Sequence, residues 1–78
     1  MEEQKIKQDY ICIGKNIRTI RLKKKMRQTQ MVALLQLQGV SMTRETLVKI
    51  ERGIQHIYAT QLRAIRDVLQ TTYDELLK

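Results

Sequence analysis

The sequence predicts an all-α fold, and three observations support this. The chain of 78 residues has no proline and only three glycines, so few residues would interrupt a helix. Leucine, lysine, arginine, glutamine and glutamate, which favour helices, are common. Apolar residues recur at spacings of three and four, which is typical of one face of a helix. A chain of this length forms one small domain with a modest core.

The first two helices are predicted from apolar spacing and from residues that begin and end helices. Asp9 is a suitable N-cap for a helix over about residues 10–25, whose closing lysines suit the helix dipole. A second helix is expected to start at 27 or 28 and to end at 36 or 37, where Gly39 terminates it. Its residues expected to face the core are Met31, Leu34 and Leu35.

Three more helices follow along the chain. The stretch MTRETLVKIERG, residues 42–53, begins beside a hydroxyl residue and ends on a glycine, which predicts a short third helix. Residues 54–60 are expected to form a loop, with Thr60 capping a fourth helix over about 61–70. TYDE, residues 72–75, has the capping-box pattern that starts a last short helix. Residues 1–8 are expected to be a flexible N-terminal segment, and residues 9–78 the helical domain.

The basic residues are concentrated in the middle of the chain. The net charge is +7, and the segment from Lys15 to Arg52 holds ten basic and two acidic residues. The remaining residues hold five basic and six acidic ones. A modest basic excess also serves solubility, but its confinement to one segment predicts a polyanionic partner for that segment.

Cysteine usage and hydropathy predict a cytoplasmic location. Cys12 is the single cysteine, which excludes an intramolecular disulfide and fits a reducing compartment. Residues 1–9 are polar and of mixed charge, unlike a signal peptide. The longest apolar run, residues 31–35, is far too short to span a membrane, so no membrane partner is expected.

The charges of the third helix are expected to lie on its outward side. With an advance of about 100° per residue, Leu47, Ile50 and Ile54 form one stripe that should be buried. Glu51 falls at the border of that stripe. A charged outward side is the usual state of an amphipathic helix in solvent. Here, however, it also begins at a helix N-terminus, follows a glycine-bearing turn and lies in the basic segment, which favours an anionic partner. The outward residues are Arg44, Glu45, Val48, Lys49 and Arg52.

Four stretches of the sequence carry a resemblance to a known family. They are IGKNIRTIR (13–21), RQTQMVALL (27–35), TRETLVKIERG (43–53) and LQTTYDELL (69–77). On these residues the chain resembles the Cro/lambda-repressor-type helix-turn-helix proteins of bacteria and phages, also called the xenobiotic-response-element family. The resemblance implies a compact five-helix, lambda-repressor-like domain in which helices 2 and 3 form the helix-turn-helix. Arg27 replaces the usual capping Thr or Ser, and the turn between helices 2 and 3 is extended.

The resemblance also implies roles for individual residues on DNA. The residues expected to face bases in the major groove are Thr43, Arg44, Glu45, Val48 and Lys49. Their chemistry is suitable, because Arg and Lys match guanine, Glu matches cytosine and Val can touch a thymine methyl. The residues expected to contact phosphates are Gln28, Thr46 and Arg52, with Arg27, Gln55 and His56 as further candidates. Thr43 could also serve only as a helix cap.

A structural ion pair is implied as well. In the family, the glutamate of helix 3 pairs with an arginine of helix 1, and these positions correspond to Glu51 and Arg21. Such a pair would fix the orientation of helix 3 on the scaffold.

The function implied by the resemblance is sequence-specific binding of double-stranded DNA by a transcriptional regulator, a repressor, encoded by a bacterium or phage and associated with the nucleoid. Family members bind two half-sites as homodimers. Two surfaces could form the dimer here, although core packing explains most of the same residues. One surface comprises Tyr73, Leu76 and Leu77, and the other Ile54, Ile57 and Tyr58. The alternative function is an antitoxin that binds a toxin protein and represses its own operon.

Other function classes fit the sequence less well. A single-stranded RNA binder would need stacking aromatics, but none of the three tyrosines lies in the basic segment. An enzyme is not expected, because the single serine, histidine and cysteine lie in different local contexts. No cofactor and no metal centre are expected.

Overall fold

The computed structural model describes residues 5–6, 8 and 11–78, and most of these lie in five helices. The helices are α1 (Ile13–Lys23), α2 (Gln28–Leu37), α3 (Arg44–Glu51), α4 (Ala59–Leu69) and α5 (Tyr73–Leu77). Two short strands, β1 (Lys5–Ile6) and β2 (Ile57–Tyr58), pair antiparallel with Lys5 opposite Tyr58. The expectation of a mostly helical domain is therefore confirmed. The sequence analysis missed both strands, including the one inside the segment expected to be flexible.

Helix α1 begins later than expected, at Ile13 rather than near residue 10. The N–H of Ile13 donates to the Ile11 carbonyl oxygen at 2.9 Å, which forms a tight turn just before the helix. The side chain of Gln8 then accepts the Gly14 N–H at 2.6 Å, satisfying one of the free donors of the first turn. Asp9, the expected N-cap, and Tyr10 lie outside the described residues.

The end of α1 is also earlier than expected, because the chain leaves the helix after Lys23. Lys25 has a φ of 55°, in the left-handed region, and the Met26 N–H donates to the Arg21 carbonyl oxygen at 3.1 Å. This is a common way to terminate a helix, although glycine usually occupies the left-handed position.

Helix α2 has the expected bounds, and Gly39 ends it with a φ of 83°. Met31 and Leu35 are fully buried as expected. Leu34 was expected to face the core, but its side is 39% exposed because it lies at the edge of the buried stripe.

The segment after α3 differs most from the sequence analysis. Gly53, at a φ of 78°, turns the chain away from the helix axis, so Ile54 is 63% exposed instead of continuing the buried stripe. Residues 57 and 58 form β2, and α4 begins at Ala59, so Thr60 is inside the helix and not its N-cap. Instead, the side chain of Gln61 accepts the Tyr58 N–H at 2.9 Å.

Helix α5 begins as the capping-box pattern predicted. The Thr72 hydroxyl accepts the Glu75 N–H at 3.2 Å. The hydrophobic core lies between the five helices and β2, and α1 packs against α3, α4 and α5. Its fully buried large side chains are Ile13, Ile17, Met31, Leu35, Leu47, Ile50, Ile57, Ile65, Leu69 and Leu76.

Within the part of the chain that the structure describes, no helix has the length and apolar character needed to cross a bilayer.

Candidate nucleic-acid interface

The start of α3 is fixed by a local hydrogen-bond arrangement. The Thr43 hydroxyl oxygen accepts the Thr46 N–H at 3.1 Å and donates to the Thr46 hydroxyl at 3.0 Å. Thr43 is thus the N-cap of α3, with an extended ψ of 160°. The cap defines where the first helical turn begins, and therefore the direction in which Arg44 and Glu45 leave the helix.

The two sides of α3 differ completely in exposure. Leu47 and Ile50 are fully buried beneath the helix. The charged side chains at the outward positions are exposed, while Thr46 and Val48 are half-buried at their margin. The result is a solvent-facing set of three basic residues and one acidic residue, namely Arg44, Glu45, Lys49 and Arg52.

A buried ion pair joins α3 to α1. The Arg21 Nε lies 2.7 Å from Glu51 Oε2, and its Nη2 lies 3.0 Å from Oε1, so the contact is bidentate. The two side chains are only 7% and 2% exposed. Gln28 Nε2 also donates to Glu51 Oε1 at 3.1 Å, and Arg21 Nη1 donates to the Met26 carbonyl oxygen at 2.8 Å. The structure therefore contains the pair that the family resemblance implied, within a network that also holds the start of α2.

A second contact fixes the C-terminal end of α3. Gly14 of α1 lies directly against the Ile50 carbonyl group, where a Cβ would overlap the oxygen. The amide of Gln8 bridges this junction, because its Nε2 donates to the carbonyl oxygens of Ile50 at 3.1 Å and Gln55 at 3.0 Å. Both ends of α3 are thereby held on the scaffold.

Two open clefts separate α3 from its neighbours, and Arg18 of α1 lines both. The first, of about 470 Å³, lies at the start of α3 and is lined by Arg27 and Thr29 of the adjoining segment together with Arg44. The second, of about 480 Å³, lies at the end of α3 and includes Lys15 and Arg52. We call the five exposed cations of these clefts the basic strip: Lys15, Arg18, Arg27, Arg44 and Arg52.

The residues proposed to contact phosphates are not all equally placed. Arg27 and Arg52 belong to the basic strip, and His56 is exposed in the loop before β2. Gln28 uses one amide hydrogen on Glu51, and Gln55 is half-buried with its carbonyl bound to Gln8. The arginines and lysines are therefore the more available donors.

Sequence analysis did not select Lys15 or Arg18, because it treated α1 only as a scaffold. The available signal was their position three residues apart on the polar side of α1, opposite Ile13 and Ile17. That pattern indicates an exposed pair of cations, but not that α3 lies beside it.

The suggested dimer surfaces are largely core. Leu76 and Ile57 are fully buried, so they belong to the monomer's interior. Tyr73 is 37% exposed, and the Arg66 guanidinium lies 4.6 Å from the centre of its ring. Leu77 and Ile54 are exposed but stand on opposite sides of the sequence from one another.

Among the described residues, no group of three or more His, Cys, Asp or Glu side chains is arranged to hold a metal ion. The basic strip and the outward side of α3 are thus defined by hydrogen-bond donors and positive charge rather than by a metal site. No family model, curated protein or solved structure matches the chain.

Proposed function

We propose that this chain binds duplex DNA in a sequence-specific manner and represses transcription, with α2 and α3 acting as a helix-turn-helix. The observation that supports this most strongly is the exposed charged side of α3, which is bordered by the exposed cations of the basic strip. Groups that could read bases are thus flanked by groups that could hold phosphates. Specific DNA recognition requires both kinds of contact.

The dimensions of α3 suit a major groove. A helix of eight residues is about 12 Å long, and the major groove is about 12 Å wide and admits a helix. The outward side chains also offer the donors and acceptors that distinguish base pairs there. Arg44 and Lys49 can donate to guanine, and Glu45 can accept from cytosine.

The basic strip would supply phosphate contacts from α1, the start of α2 and the end of α3. Phosphate contacts hold a protein in register on the duplex without selecting a sequence. They also release counterions, so the affinity of this chain for duplex DNA is expected to fall steeply as salt is raised.

Selection of bound fragments from a pool of random duplex DNA tests the proposal directly. The expected result is a short enriched sequence that competes for binding far better than its scrambled version. Glu51 and the core are unchanged in Lys49→Ala, which serves as the matched variant because its exposed side chain can be removed without disturbing the fold. Enrichment of no sequence, or weak binding that ignores sequence, would contradict the proposal.

A further inference from the structure

Helix α2 is apolar on its outward side as well as on its buried side. Met31 and Leu35 are fully buried, yet Leu37 is 84% exposed and Leu34 is 39% exposed. Ala33, between them, is also exposed. A helix that is apolar all round is normally covered on all sides. The composition of α2 is thus that of a covered helix, while one side of it faces solvent in the single chain.

The surroundings of this side carry no charge. No residue between Arg27 and Arg44 is charged at neutral pH, although the chain as a whole has a net charge of +7. The other large hydrophobic residues exposed in the described part of the chain lie within two sequence positions of a charged residue. These are Ile11, Leu22, Ile54, Tyr73 and Leu77. Depletion of charge at the centre is a mark of protein–protein interfaces.

We propose that the outward side of α2 binds a second copy of this chain, forming a two-fold symmetric dimer. We define this α2 outer face by Gln30, Ala33, Leu34 and Leu37, all of which are exposed. A second copy is the favoured occupant because two chains with this net charge repel one another, and that repulsion is smallest where charge is absent. In a two-fold contact the same face meets itself, so its neutral, apolar character is complementary to itself.

The surface continues beyond the helix, as a dimer of ordinary size requires. A standard interface covers about 800 Å² on each partner, more than two leucines provide. Directly after Leu37, residues 38–41 form one wall of a groove of about 450 Å³ whose other wall is α4. This groove is lined by backbone and small or polar side chains near Val40 and Ala64, and it extends the uncharged area.

The α2 outer face lies away from the proposed DNA contacts. Gln28 points toward α3, where it binds Glu51. Leu37 is nine residues further along and, at about 100° per residue, lies about 180° around the helix from Gln28. A second copy on this face would therefore leave the outward side of α3 open. The dimer proposal does not depend on DNA binding, and it is tested without DNA.

Sedimentation equilibrium over a concentration series measures the dimer directly. We expect the unmodified chain to show a monomer–dimer equilibrium and Leu37→Glu to weaken it by at least about tenfold, because a charge would be placed at the centre of the contact. Leu22→Glu is the matched control, since Leu22 is a 50% exposed helical leucine outside the face. Leu37→Gln supplies a milder change should the acidic variant fail to fold.

Disulfide trapping gives an independent result. In a Cys12→Ser background, Leu37→Cys is expected to form covalent dimers under mild oxidation, since a two-fold contact brings the two copies of one residue together. Leu22→Cys in the same background is expected to remain monomeric. The proposal is overturned if the unmodified chain stays monomeric throughout the series, or if Leu37→Glu and Leu22→Glu dimerise equally well. Equal trapping of the two cysteine variants would also overturn it.

Discussion

Glu51 holds more partners than any other side chain near the proposed interface. Its two oxygens accept hydrogen bonds from Arg21 and Gln28, and it is almost wholly buried. A single carboxylate thus connects α1, α2 and α3. The exposed residues of α3 depend on this group for their direction, although it makes no contact with them.

Replacement of Glu51 by alanine is expected to destabilise the fold by about 3–5 kcal/mol, because the buried Arg21 guanidinium would lose its anionic partner. Urea unfolding followed by circular dichroism measures this change. The matched control is Glu45→Ala on the same helix, where the carboxylate is exposed and its loss should cost less than about 1 kcal/mol. Equal stability of the Glu51 variant and the unmodified chain would show that the pair contributes nothing.

Two exposed cations of α3 are expected to respond differently to truncation. Lys49→Ala should remove about 1–3 kcal/mol of discrimination at one base pair, whereas Arg52→Ala should lower affinity for every sequence alike. Titration of both variants against the selected site and its single-base changes measures this. Loss of affinity in both variants without any change in preference would remove Lys49 from the base contacts.

At the scale of elements, the position of α3 is defined at two separate junctions. The ion pair to Glu51 holds one side, and the contact of Gly14 with the Ile50 carbonyl brings α1 close to the end of the helix. The Gln8 amide, next to β1, joins the same point. The N-terminal strand is therefore part of the support of α3.

Gly14→Ala is expected to force α1 and α3 apart, because the added Cβ would overlap the Ile50 carbonyl oxygen. We expect a loss of about 1–3 kcal/mol or more in the free energy of unfolding, as for other overpacked contacts. Gly39→Asn is a suitable control: nothing lies within 4 Å of a Cβ there, and asparagine tolerates its positive φ. A Gly14 variant no less stable than the Gly39 variant would show that the junction can relax freely.

At the scale of the whole molecule, the charge is arranged by surface. The basic strip borders α3, and the α2 outer face is neutral. One chain thus presents a cationic region suited to a polyanion and a separate region where a second copy meets little repulsion.

The salt dependence of DNA binding should report the basic strip. Arg18→Ala is expected to reduce the slope of log affinity against log salt by about 0.9, the value for one lost phosphate contact, without altering sequence preference. Arg63→Ala, an exposed arginine of α4 outside the strip, is the control and should leave the slope unchanged. Identical slopes for the two variants would mean that Arg18 does not meet a phosphate.

The sequence alone determined the local features of this protein. Spacing and caps predicted the bounds of α2 and the starts of α3 and α5, because these depend on residues within a turn of one another. They failed at α1 and α4, where the first turns are satisfied by Gln8 and Gln61 rather than by Asp9 or Thr60.

Only the tertiary structure decided which distant residues share a surface. Pairing of β1 with β2, the bridge made by Gln8 and the position of Arg18 beside α3 all join parts of the chain that are far apart in sequence. Helical periodicity indicates which side of an element is polar, but not which element lies next to it. That choice depends on how the apolar stripes of all five helices pack into one core.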